Sequence, residues 1–303
     1  MKTRKGHKVY PLTVAQKFHL YYAPHCPSMA VLNIGTSLTI EVELDWDQLK
    51  KSINEAYARS EGMRIRFAKD KEGTWYQYVA DPEEQEIEFV DFSGKTMEEA
   101  EAEMQKWTTV PFKMEDSQMS RVVMIKMPDG FNGVYFLGQH MTVDAQSLIC
   151  FLKDIIELYC NAKYEGVPYP KDMCSYIEQL EKDLAYEAGS KAQQRDIAFF
   201  QKEIEKGEPI YNGIHGTDKL EAARKMFKNP KLRTAFNASD DTKSALDIFH
   251  LEEEPTKRLM DFCEKYHVSL ACLILMGLRT YYQKMNGFED VSINNAIARR
   301  ATL

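Results

Sequence analysis

The segment GVYFLGQHMTVDAQSL (133–148) runs apolar until it meets His140, and four residues later it places Asp144 among small polar residues. A histidine at the end of a strand is held by the sheet yet projects beyond it, so its ring is rigid and still reaches a substrate. An imidazole with the ordinary pKa of about 6.5 is mostly neutral at pH 7 and can accept a proton from a nucleophile. Asp144, in a stretch too irregular to continue the strand, must be exposed or paired, because burying a lone carboxylate is expensive. An arginine is the natural partner, and RSEGMRIRF (59–67) supplies Arg59, Arg64 and Arg66. A metal site at His140 and Asp144 is not expected, since no third ligand at suitable spacing accompanies them.

The elements around this segment explain how it is held. RVVMIKM (121–127) and NGVYFLGQH (132–140) flank PDG at 128–130, a hairpin signal. SLICFLKDIIELYCNA (147–162) follows as a strongly apolar helix, which Ser147 can cap. Upstream, LTVAQKFHLYY (12–22) predicts a short amphipathic helix with Thr13 as cap. MAVLNIGTSLTIEVEL (29–44) alternates as a strand, with Leu38, Ile40, Val42 and Leu44 on one face. DWDQLKKSINEAYAR opens with Asp45 at a cap position and places Leu49, Ile53 and Tyr57 on one helical face. Further strands are read at 75–80 and 87–92, and an acidic helix from about Thr96 to Lys106. YEGVPYP (164–170) is the strongest linker signal, so the lobes are divided there, 1–168 and 169–303. The second lobe reads as helices with strands at 244–251 and 290–297.

Composition bounds the partners. With 39 Lys plus Arg against 46 Asp plus Glu, the 303-residue chain carries a net charge of −7, which repels phosphate backbones and anionic bilayers. Neither nucleic acid nor a membrane is an expected partner. The longest apolar run, LACLILMGL (270–278), is about half the ~20 residues a membrane crossing needs. No secretory h-region is read in the first 30 residues, and the six scattered cysteines lack CxxC or ligand spacing. Reduced thiols in the cytoplasm are the expectation.

At this point the residues carry a resemblance. QHMTVDAQS resembles the HHxxxDG segment of nonribosomal peptide synthetase condensation domains, members of the chloramphenicol acetyltransferase-like superfamily. LTVAQKFHLYY resembles their opening S/T-x-A-Q motif, RSEGMRIRF their RHExLRTxF segment, and VPFKMEDSQMSR (110–121) their PFDL stretch. AFFQKEIEKGEP (198–209) and the final helix with ARR complete the order. The resemblance implies a two-lobe, V-shaped α/β fold with a tunnel at the lobe junction. It implies His140 as the residue that deprotonates or positions the attacking amine or hydroxyl, and Asp144 as structural, held by Arg59 or Arg64. Ser147 matches the small hydroxyl residue after the motif and, with Gln139 and Ala145 at the motif's first-histidine and glycine positions, is a substrate-binding candidate. No bound cofactor is implied; the acyl thioester arrives on the phosphopantetheine of a peptidyl or acyl carrier protein, with an adenylation domain in the same assembly line.

Three departures stand out. Gln139 replaces the first motif histidine, but strand neighbours face opposite ways, so it is expected to turn from the tunnel. Ala145 replaces the motif glycine, and its methyl is expected to narrow the site if the position needs φ > 0 or close substrate approach. The chain stops at ARRATL, where family members continue, so the expectation is either a piece of a longer synthetase or a protein whose second lobe is short and leaves an open cleft. The leading reading is amide or ester formation from a carrier-bound thioester. A degenerate domain that binds carrier proteins, and a free-standing acyltransferase using coenzyme A thioesters, remain alternatives.

Overall fold

The computed structural model describes residues 3–22, 26, 28–207, 249–287, 291, 293 and 295. Two hairpin-like pieces, β1 (Thr3–Arg4) with β2 (His7–Lys8), open the chain, followed by β3 (Tyr10–Pro11) and helix α1 (Val14–Tyr22). Then come β4 (Asn33–Ile40), α2 (Trp46–Arg59), β5 (Ile65–Lys69), β6 (Trp75–Val79), β7 (Glu88–Asp91) and α3 (Met97–Thr108). The predicted hairpin forms β8 (Ser120–Lys126) and β9 (Asn132–Gln139), and α4 (Ala145–Lys163), α5 (Tyr176–Glu187) and α6 (Lys191–Glu205) follow.

A four-stranded sheet in the order β4-β9-β8-β7 carries the site. Its period-two alternation sends Val122, Met124, Val134 and Phe136 to one face, where they pack with Leu49 and Ile53 of α2 and Phe151 and Ile155 of α4. Val123, Ile125, Tyr135 and Leu137 face the other way, onto Ala100 and Met104 of α3. Every residue of β9 is buried, which is why its sequence is a continuous apolar run rather than an alternating one. The second sheet, β3-β6-β5, closes over Leu12, Ile65, Phe67, Met119 and Met141.

Asp45 caps α2 as expected, accepting from Gln48 N at 3.0 Å, and the structure adds a capping box of Thr96 and Glu99 at α3. The strand expected over 29–44 is shorter. Met29–Leu32 make a 3-10 turn capped by Ser28, and pairing ends at Ile40 opposite Asn132 because β9 begins there and offers no further partner.

The chain divides into compact units of residues 1–194 and 195–303, rather than at the proline-rich stretch read as the boundary. That stretch folds back instead of linking: the Tyr169 ring lies 4.8 Å from the Arg59 guanidinium, and Tyr169 donates to Glu55 at 2.6 Å. α5 is then tied to the first unit by buried Leu180, a Lys8–Glu181 ion pair at 2.9 Å, and Glu187, which accepts from Val14 N at 2.9 Å. Within the second unit, helices Glu253–Tyr266 and Leu270–Asn286 are described, the latter capped by Ser269 and ended by Gly287 at φ 71°. The strand expected at 290–297, and most of that at 244–251, lie outside the described residues; 249–251 form no regular element.

Candidate active site

His140 sits one residue beyond β9, exposed, in a turn bound at every corner. Its N–H donates to Leu32 O at 2.7 Å, and Gln139 O receives Thr142 N at 2.9 Å and Val143 N at 3.2 Å. Gly138 lets the turn fold back this tightly. A Cβ there would lie 2.6 Å from the Phe136 ring and 2.7 Å from Val143 Cγ2.

The ring of His140 is oriented by its own turn, with Nδ1 3.0 Å from Val143 O. A carbonyl oxygen only accepts, so Nδ1 carries the hydrogen and, in the neutral ring, Nε2 carries the lone pair. This is the tautomer a base needs. The strand-end geometry thus delivers both an accessible ring and a defined proton acceptor.

Gln139 is buried where its neighbour His140 is exposed. Its Oε1 accepts from Met141 N at 2.6 Å, and its amide reaches Met114 Sδ at 3.7 Å, so the residue ties down the base of the histidine turn.

Asp144 is the N-cap of α4. It accepts from Ser147 N at 2.9 Å, while its own N–H donates to Ser147 Oγ at 2.7 Å, a reciprocal box that joins the histidine turn to the helix. Ser147 therefore serves the cap at the third helical position, rather than being the cap residue itself.

The expected arginine partners do not meet Asp144. Arg59 bonds Asp154 at 3.2 Å and Lys171 O at 2.6 Å, because α2 crosses α4 at Asp154, about 15 Å beyond the cap at ~1.5 Å per residue. Arg64, at the edge of the second sheet, donates to Ala80 O, and burial lowers its pKa. Arg66 is buried and donates to Gln118 Oε1 and to Ile65 O at 3.0 Å.

Ala145 is the first residue of α4 and is exposed. It is not among the residues at positive φ, so its methyl imposes no strain there, and alanine is the best helix former. The expected conflict on the backbone is absent.

Two supports were not singled out by sequence reasoning. The first is Gln16, which forms a reciprocal amide pair with Gln77 at 2.8 and 2.9 Å and also donates to Met141 O at 3.3 Å, bracing the histidine turn from α1. Tyr176 of α5 donates to Gln77 at 2.6 Å, and its burial pushes the phenol well above its ordinary value. The signal was the glutamine of LTVAQ, three residues after Thr13, with which it caps α1. The second is His19, whose ring lies 4.8 Å from that of His140.

A family model described as Condensation domain matches residues 6–302. The chain belongs to that family. Surfactin synthase subunit 1 of Bacillus subtilis (strain 168) is 22% identical over 96% of this chain, and bacitracin synthase 1 of Bacillus licheniformis 23% over 96%. These matches occupy 8% and 5% of the relatives, so the chain spans less than a tenth of their length. Among solved structures, the first condensation domain of the calcium-dependent antibiotic synthetase, in complex with substrate analogue 3a, aligns with a TM-score of 0.69 at 19% identity, covering 93% of this chain and 62% of that one. The starter condensation domain of rhizomide synthetase aligns at 0.58 and 18%, covering 65% and 48%. The fold is that of a condensation domain, in the chloramphenicol acetyltransferase-like class, and such domains are in general acyltransferases working on carrier-borne thioesters.

Proposed function

We propose that this condensation domain forms an amide, or an ester, by transferring an acyl or aminoacyl group from the phosphopantetheine thioester of one carrier protein to an amine or hydroxyl acceptor. The observation that carries it is the orientation of His140: Nδ1 donates to Val143 O and Nε2 is left as acceptor on an exposed ring. As the acceptor nitrogen attacks the thioester carbonyl, Nε2 takes its proton. The tetrahedral intermediate then collapses, the C–S bond breaks, and the imidazolium returns that proton to the departing thiolate. No acyl-enzyme forms, and the rate gain comes from holding the reactants in line and from the positioned base.

In this reading Asp144, Ser147 and Gln139 position the histidine turn, and Ala145 starts the helix beside it. Carrier proteins are the partners, with an adenylation domain in the same cytoplasmic assembly line. The test is the full chain with a panel of aminoacyl thioesters, on carrier protein and on coenzyme A. His140→Ala is expected to lower turnover by roughly 10²–10⁴-fold. Equal turnover by the two proteins overturns the reading. Preference for coenzyme A over carrier-borne donors would instead identify a free-standing acyltransferase.

A further inference from the structure

His19 lies on α1, half-buried, with its ring centroid 4.8 Å from that of His140 and the planes tilted by 31°. The 3.0 Å bond from Nδ1 to Val143 O restrains the His140 ring at one edge. A ring so tethered still rocks about that bond unless a surface meets its face. The His19 imidazole is that surface, and aromatic rings at 4.5–7 Å in tilted geometry attract one another.

α1 is itself rigid where this matters. Gln16, one turn before His19, is locked into the buried Gln77–Tyr176 network and donates to Met141 O, within the very turn that bears His140. Lys17 is drawn away to Glu187 of α5 at 3.6 Å, so the cation nearest His19 along the helix is already paired. Burial and the neighbouring His140 both lower the pKa of His19, so at neutral pH it meets His140 as an uncharged ring.

We propose that His19 is a positioning residue for His140: its packed ring holds the base with Nδ1 on the Val143 carbonyl and Nε2 outward. The catalytic consequence rests on the proposed acyl transfer; the positioning itself does not. The experiment is nitrogen-15 NMR of the His140 ring in the full chain, which reads its tautomer and ring order without any substrate, joined to kinetics with carrier-borne aminoacyl thioesters.

His19→Ala is expected to mix the His140 tautomers and to lower kcat roughly tenfold with KM unchanged. His19→Phe, which keeps a flat ring, is expected to restore both, whereas His19→Leu, which keeps bulk without a flat face, restores neither fully. His19→Leu decides the matter if the alanine variant melts. A wild-type His140 tautomer and ring order in the alanine or leucine variant overturns the assignment, as does a phenylalanine variant no better than leucine. Mixed tautomers in His19→Ala, together with a wild-type protein that turns over no thioester, would leave the positioning role standing while the proposed activity fails.

Discussion

Two helices of this chain are almost equally apolar, yet they live in different surroundings. α4, read from SLICFLKDIIELYCNA, buries Phe151 to 1% and Ile155 to 2% exposure against the four-stranded sheet. The helix read from LACLILMGL leaves Ile274 at 55% and Met276 at 52%. Apolar composition makes a helix in both cases, but among the described residues only α4 has a sheet facing it, and there it becomes core. The difference also separates the site from the rest. The histidine turn is joined to α4 by its cap, so the stability of that helix is transmitted directly to His140.

Substitutions sharpen this contrast. Phe151→Ala is expected to cost the most, about 3–5 kcal/mol in urea unfolding, through lost burial and the cavity left between α2, α4 and the sheet. A cost below 1 kcal/mol would mean that α4 is not the core helix it resembles. Arg59→Met comes next, about 3 kcal/mol, because it leaves Asp154 buried without its cation.

The same pair gives a pH signature. Burial raises the Asp154 carboxyl above its ordinary value more than Arg59 lowers it. The folded state therefore holds this proton at pH values where the unfolded chain has lost it, so the contribution of Asp154 to stability falls as pH rises through that window. Arg59→Met is expected to steepen the fall, measured as melting temperature against pH. A flat profile in both proteins would remove Asp154 from the account.

Asp144→Ala is a smaller perturbation, about 1 kcal/mol for the lost cap, with a fall in turnover as the histidine turn loosens. Stability lost with turnover unchanged would separate the cap from the chemistry. Ile274→Ala closes the series at below about 0.5 kcal/mol, as befits an exposed side chain. A cost as large as that of Phe151→Ala would abolish the contrast between the two helices.

Much of the first unit was legible in the sequence. The cap Asp45, the PDG hairpin and the apolar run of β9 are local signals, set by a few consecutive residues. The unit boundary was less legible, because proline and glycine mark a turn whether it links two bodies or folds back onto one, as the Tyr169–Arg59 contact shows.

At the site the same division holds. The sequence by itself determined a strand ending in His140, a following helix and the order of motifs that places the chain in its family. Which arginine meets which carboxylate was decided only by the crossing of α2 over α4, since three arginines in one short segment face different elements. That Asp144 caps α4 through Ser147 was within reach of local rules. That His19 lies against His140 was not, because these rings are far apart in the chain and only the packing of α1 beside the histidine turn brings them together.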